Sequence, residues 1–404
     1  MADENPINIK EIVNARFQNP KFVYDGKRVQ PIYERKSYDY SSALIYQAHL
    51  PCLPVVKYPQ FNLSSQILNM QSPDECSPLE AVTSRFVHMS INKIRSPINS
   101  IIWNPDGRRL LSGSCSGEIT MWNGFSFNFD TIVQAHESPI RSMVWSPSSS
   151  FLITSDNLGI IKYWNPSMSN IQIIEAHKEG VKDLCFCYND EKFCSASDDS
   201  TIKVWDSVSA KCERTLSGHN WDVRKAQWHR TKALIASGGK DNLLKLWDPR
   251  ENQCLTTFHY HKNTILSLKF YRDNYLLSGG KDQVIKMLDL RTMKEVFTYK
   301  NHNKDVTAIS THPFNDLFVT GNNEGMIYFW DIFNEMPIAT SDNKHDNTIW
   351  SLDFHPAGHV LASGSADFMV KFWIRPRPAN HQIGDEADQS MENFAYDNDV
   401  IPGL

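Results

Sequence analysis

Residues 218–248 read GHNWDVRKAQWHRTKALIASGGKDNLLKLWD. Apolar and polar residues alternate through VRKAQWH, as they do in IKVWD of residues 202–206, the pattern of short strands with one face in a core. Four residues punctuate the longer stretch: His219, Ser237, Asp241 and Trp247. The same marks return outward in both directions. Trp122, Trp164, Trp205, Trp247, Trp330 and Trp373 each close a β-rich run, with Leu288 on the one missing beat, at spacings of 42, 41, 42, 41, 42 and 43. Ser112, Thr154, Ser195, Ser237, Ser278, Thr320 and Ser363 lie ten residues before these positions. His136, His177, His219, His261, His302 and His345 lie 27 or 28 residues before the last six. A period near 40 residues marks a repeat architecture, in which each unit buries its apolar face only against its neighbours.

From about residue 84 to 374 the sequence resembles the WD-repeat family. Gly218-His219 supplies GH, and Trp205-Asp206, Trp247-Asp248 and Trp330-Asp331 supply WD. The resemblance implies an all-β fold with four strands per repeat, and seven repeats make a seven-bladed WD40 β-propeller around a channel. Past Trp373 the run RPRPANHQ excludes another strand, so the last blade lacks its outer one. An open edge is a liability, and the strand-like segment Ser84-Arg85-Phe86-Val87-His88-Met89-Ser90 is expected to close the ring. The organisation expected is an N-terminal arm and extension over 1–83, partly ordered against the propeller, the ring over 84–374, and a disordered acidic tail over 375–404.

The recurring polar set has a structural reading. An imidazole can bridge a Ser hydroxyl and an Asp carboxylate while the indole N–H meets the hydroxyl, which satisfies polar groups inside a blade. His177, Ser195, Asp199 and Trp205 form one such set, His219, Ser237, Asp241 and Trp247 a second, and His345, Ser363, Asp367 and Trp373 a third. A Ser–His–Asp nucleophile needs one open cleft, and repetition in several blades argues against it. Gly113-Ser114-Cys115-Ser116-Gly117 resembles a nucleophile elbow but falls between two strands with Cys at its centre. Neither GxGxxG nor GxxxxGK[ST] occurs, and a non-catalytic chain without a cofactor is expected.

No run of about 18 apolar residues exists, and the polar start MADENPINIKEIVNARF lacks the apolar core of a signal peptide, so the cytosol or nucleus is expected. The eight Cys (52, 76, 115, 185, 187, 194, 212 and 254) show no CxxC spacing. Most lie in strand-like stretches and are expected to be buried free thiols rather than metal ligands. Net charge is -5; the segment from Pro378 to Leu404 carries six acidic residues and no Lys or Arg, leaving +1 for the rest. An anionic partner is therefore not excluded by charge.

The informative departures from a generic repeat lie before and inside its first copy. Residues 24–40, YDGKRVQPIYERKSYDY, combine Lys27, Arg28, Arg35 and Lys36 with Tyr24, Tyr33, Tyr38 and Tyr40. Cations for phosphates beside flat rings for bases are what single-stranded RNA recognition uses, although a basic arm alone is more often a solvated linker or a protein-docking strap. Residues 122–136, WNGFSFNFDTIVQAH, depart from ordinary WD repeats, which place Asp and small residues here.

Together with DGKR, RKSYDY, PDGRRLLSGSCSGE, SPIRSMVWS, AHKEGVKDLCF and GHNWDVRKAQWH, these stretches resemble the WD-repeat subunit of the pre-mRNA cleavage and polyadenylation specificity factor, from about Tyr24 to Pro378. The resemblance implies a nuclear scaffold that, beside a CCCH zinc-finger subunit and a larger propeller-containing scaffold subunit, grips the AAUAAA poly(A) signal of pre-mRNA. Carried over residue by residue, it implies that Tyr24 stacks, that Lys27, Arg28 and Arg35 contact phosphates or bases, that Phe129 and Ile132 sandwich bases, and that Lys93 is a basic neighbour. From the residues alone, packing of Phe129 and Ile132 between blades is the preferred reading, and only the resemblance turns it toward base contact. Gln30 stands where animal and plant members have Arg, and Ile91 where Thr is usual, so an altered signal preference or weaker binding is expected. The alternative weighed is a substrate receptor of a cullin-type ubiquitin ligase, from Trp247-Asp248-Pro249-Arg250 and Leu288-Asp289-Leu290-Arg291.

Overall fold

In a computed structural model the structure describes residues 22–24, 29–31, 82–92, 94–341 and 343–375. Every regular element among them is a strand. Seven four-stranded antiparallel sheets form the ring. Blades one to six span residues 98–134, 140–175, 181–217, 223–258, 265–299 and 306–340. Blade seven takes three strands from 349–374, and its outer strand is Arg85–Ile91, which pairs antiparallel with Met369–Ile374. Blade seven is thus built from both ends of the ring, and the outer edge of Met369–Ile374 is covered by a segment some 280 residues earlier in the chain.

The first strands of successive blades pack side by side around the axis, and Ile349–Phe354 of blade seven lies on Ile98–Trp103 of blade one. That seam is fixed by hydrogen bonds. The Trp103 backbone N–H donates to Asp353 Oδ2 at 2.8 Å, its indole N–H donates to the Asp353 carbonyl at 3.2 Å, and His355 Nε2 meets the Gly107 carbonyl at 3.0 Å. Burial pushes the Asp353 carboxyl up to about 6. The core lies between blades, where alternate residues of the inner three strands interdigitate; Trp247, Trp330 and Trp373 are among its largest fully buried side chains.

Phe22–Tyr24 and Val29–Pro31 form an antiparallel hairpin of their own, with Tyr24 opposite Val29. The ordering of 1–83 against the ring, the cations Lys27, Arg28, Arg35 and Lys93, and the acidic tail lie outside the described residues.

One expectation is corrected. Of the six described cysteines only Cys194 is buried, while Cys212 and Cys254 are exposed and the other three are half-buried. The two exposed thiols sit on the outer strands Cys212–Ser217 and Gln253–Phe258, and a blade's fourth strand borders solvent however strand-like its sequence. No described group of His, Cys, Asp and Glu is arranged to hold a metal ion.

Candidate nucleic-acid interface

The repeated polar residues meet inside the blades. His219 Nδ1 lies 2.7 Å from Asp241 Oδ2, its Nε2 lies 2.6 Å from Ser237 Oγ, and the Trp247 indole donates to the same hydroxyl at 2.7 Å. His177 and His345 make the same bridges to Asp199 and Ser195 and to Asp367 and Ser363. Burial pushes the Asp241 and Asp367 carboxyls up, but the imidazole and backbone N–H donors outweigh it, so both end below the usual carboxylate range. A fourth complete set was missed in the sequence, because its carboxylate sits two residues after the hydroxyl rather than four: His136 joins Thr154 and Asp156, with Trp164 on Thr154. Blade five has His261, Ser278 and Asp282 but Leu288 in place of Trp. Blade six has His302, Thr320 and Trp330, with Asn322 where blade two has Asp156. In blades two to five and seven each imidazole is held on both nitrogens within its own set, whereas in blade six His302 Nδ1 has no partner among the described residues.

The non-repeated surface is different. Trp122–Phe129 is an edge-to-face pair with centroids 6.2 Å apart. Phe129 and Ile132 are three residues apart, and strict alternation would put them on opposite faces of the strand Phe129–Gln134. A bulge prevents this. The ladder runs Thr120↔Ile132, Met121↔Thr131, then Trp122↔Phe129, so Asp130 is the extra residue. Thr120 and Trp122 share a face, and so do their partners. Phe129 and Ile132 therefore stand together on one face of blade one, 54% and 38% exposed. Asp130 is turned to an ion pair with Arg109 at 2.8 Å.

The same two register positions can be followed round the ring. Opposite the third-strand Trp or Leu, the other blades place Asn170, Cys212, Cys254, Glu295, Pro337 and, in blade seven, Phe86. The Ile132 position is held by Ile173, Thr215, Thr257, Thr298, Thr340 and Met89. Only blades one and seven combine an aromatic with a large apolar partner. In blade seven Lys371 lies over the Phe86 ring, 5.7 Å from its centroid. The residue aligned with Lys371 is Lys162, Lys203, Lys245 and Lys286 in four other blades, Tyr328 in blade six and Thr120 in blade one. Thr120 is too short to cover a ring on the neighbouring strand, so Phe129 is left bare.

The loop before this strand sets its position. Asn123 Oδ1 accepts the N–H groups of Phe125 and Ser126 at 2.9 and 3.0 Å, a turn that Asn favours. A Cβ on Gly124 would lie 2.4 Å from the Gly107 carbonyl oxygen, so only Gly fits. Phe127 adopts φ 58°, and its ring is buried while Phe125 and Phe129 remain outside. The sequence shows three Phe at alternate positions, and the pattern alone does not tell which is the anchor.

Residues 88–123, 128–165 and 168–206 match the family described as WD domain, G-beta repeat. Residues 209–400 match a β-propeller family described as nucleolar protein 10-like, N-terminal domain. Among curated proteins, the chain is 39% identical over 112 residues to polyadenylation factor subunit 2 of Yarrowia lipolytica, which is 28% of this chain and 19% of that protein. It is 38% identical over 119 residues to the protein of that name in Schizosaccharomyces pombe, 28% of this chain and 23% of the relative. Over 61 residues it is 57% identical to the one in Neurospora crassa, covering 15% and 9%. The matched stretches span less than a quarter of each relative's length.

Proposed function

This chain is a WD-repeat β-propeller homologous to the fungal proteins named polyadenylation factor subunit 2, and on that premise we propose that it is a non-catalytic RNA-binding scaffold of mRNA 3′-end cleavage and polyadenylation, working in the nucleus. The observation that carries the RNA reading is the bare face of blade one, where Phe129 and Ile132 are paired by a bulge and left uncovered by Thr120. An exposed ring beside an aliphatic side chain accepts a base of any identity by stacking, worth about 1–3 kcal/mol per base. Specificity for an AAUAAA-type signal would come from the arm, with Tyr24 stacking and Lys27, Arg28, Arg35 and Lys93 on phosphates and base edges. The partners proposed are the CCCH zinc-finger subunit and the larger propeller-containing scaffold subunit of the same complex. Nuclease and polymerase chemistry is assigned to other subunits, because the blades' Ser, His and Asp groups are bonded to one another.

No specific observation favours a cullin-type substrate receptor. The Arg291 guanidinium lies 3.3 Å from Asp289 within its own turn, and Arg250 uses its backbone N–H to bond Asp248 at 2.8 Å. The RNA reading is tested by reconstituting the protein with the zinc-finger subunit and titrating AAUAAA RNA against a scrambled hexamer by fluorescence anisotropy. Tighter binding of AAUAAA supports it, and equal affinity refutes it.

A further inference from the structure

We propose a second RNA contact, a sequence-independent phosphate track in the cleft between blades three and four. The cleft, of about 850 Å³, is walled by Tyr188 and Lys192 from blade three's first hairpin, Glu213 and Arg214 from its outer strand, and Arg230, Lys232 and Arg250 from two loops of blade four. Five cations line it against two carboxylates, Glu191 and Glu213. Glu213 is already matched by Lys192 at 2.6 Å, and no described carboxylate pairs with Arg214, Arg230, Lys232 or Arg250.

The contrast with the opposite ends of the same blades decides that this charge is for a ligand. There the cations are spent within the protein: Lys182 pairs with Asp198 at 2.8 Å, Arg224 with Asp222 at 3.1 Å, and Lys240 reaches the same Asp222 at 3.6 Å. Arg214, Arg230, Lys232 and Arg250 converge on one concave surface with Glu191 as its one carboxylate left over, and the concavity strengthens their net positive field toward an anion.

The chemistry of the wall favours a single-stranded nucleic acid over an acidic peptide. Three of the four free cations are Arg, whose planar fork matches a phosphate. Tyr188, 61% exposed, offers a ring face at the rim on which a base can stack. An acidic peptide would use the charge and leave the ring idle. This inference rests on the RNA-binding reading and adds to it: blade one holds signal bases, and the cleft holds flanking strand of any sequence.

The test uses the full chain, the triple variant Arg230→Ala, Lys232→Ala, Arg250→Ala, and a labelled 20-mer of uridine titrated at several salt concentrations. All three side chains are exposed, and a melting curve confirms folding. The variant should bind the oligouridine roughly tenfold or more weakly, with a salt slope flatter by about 2, since each phosphate contact on a single strand contributes about 0.7. Unchanged affinity and slope would overturn the proposal. So would a 20-residue polyglutamate whose binding is lost in the variant while oligouridine binding is kept. The two readings fail separately, because the ratio of AAUAAA to scrambled-hexamer affinity reports blade one, whereas oligouridine affinity and salt slope report the cleft.

Discussion

Phe127 stacks on Phe372 with ring centroids 4.1 Å apart and planes within 10° of parallel. The pair joins the turn that opens blade one's outer strand to the third strand of blade seven. Ser90 of the closing strand adds a hydrogen bond from its hydroxyl to the Phe127 carbonyl at 2.8 Å. The bare aromatic surface of blade one is thus anchored on the seam where the ring closes.

Replacing that anchor should cost stability and disturb the surface together. Phe127→Ala removes a fully buried ring and should destabilise by about 3–5 kcal/mol in a denaturant titration. The positive φ at this position would remain unfavourable for Ala. A loss below about 1 kcal/mol would mean that the turn is held by its Asn123 hydrogen bonds alone.

Thr120→Lys should restore to blade one the covering lysine that blade seven has over Phe86. Four other blades accommodate Lys at the same register position, so the fold should persist with a melting temperature close to that of the parent. If bases stack on Phe129, the variant should lose discrimination between AAUAAA and a scrambled hexamer in fluorescence anisotropy. Retained discrimination in a folded variant would remove Phe129 from the base-contacting surface.

Asn322→Asp should complete blade six. Asn322 Oδ1 already accepts the N–H groups of Glu324 and Met326, as Asp156 accepts those of Leu158 and Ile160. Its Nδ2 and the Nδ1 of His302 have no partner among the described residues. A carboxylate here would bond His302 as Asp156 bonds His136, stabilising by about 1–3 kcal/mol at neutral pH. NMR titration should also show the His302 pKa, which burial holds down to about 4, rising by more than a unit. An unchanged His302 titration would refute the pairing.

Acid should unfold the ring at mild pH. Burial lowers His302, His312 and His359 to about 4 and His355 to about 3. For His355 a neighbouring His359 ring, 4.4 Å away by centroid, adds to the effect. Folded pKa values below the unfolded value of about 6.5 mean that the unfolded chain binds more protons between these limits. Stability from these four groups is full above pH 6.5 and falls as pH drops toward 4. Asp353, raised to about 6, opposes them by taking up a proton in the folded state over part of that range. Four groups outweigh one, so the melting temperature should fall steadily from pH 6.5 to 4. A flat profile over that window would contradict the buried neutral histidines.

The ring was legible because its marks recur at a fixed period, so that no single residue had to be read correctly. Leu288 in place of Trp did not hide blade five. The bare face of blade one was legible only in part. Phe129 and Ile132 stand out as departures, but alternation assigns them to opposite faces, and the bulge at Asp130 that unites them has no mark in the sequence. The clamps between blades were missed for a related reason. His229, His312 and His355 follow the first strands of blades four, six and seven and reach carbonyls of the next blade, Asp273, Gly358 and Gly107. Each lies outside the His–Ser–Trp spacing, and its partner is more than 40 residues distant or across the closure. The basic cleft was invisible in the sequence: Tyr188 and Arg230 are 42 residues apart and line one cleft only because adjacent blades repeat the same loop.

The most direct test of the account is the position of the RNA itself. An AAUAAA oligonucleotide carrying 4-thiouridine at its one uridine, bound to the protein together with the zinc-finger subunit, can be photocrosslinked and the modified peptide sequenced by mass spectrometry. A crosslink is expected within residues 124–134, abolished by Phe129→Ala. Crosslinks confined to other blades, or an unchanged crosslink in the Phe129→Ala variant, would contradict it.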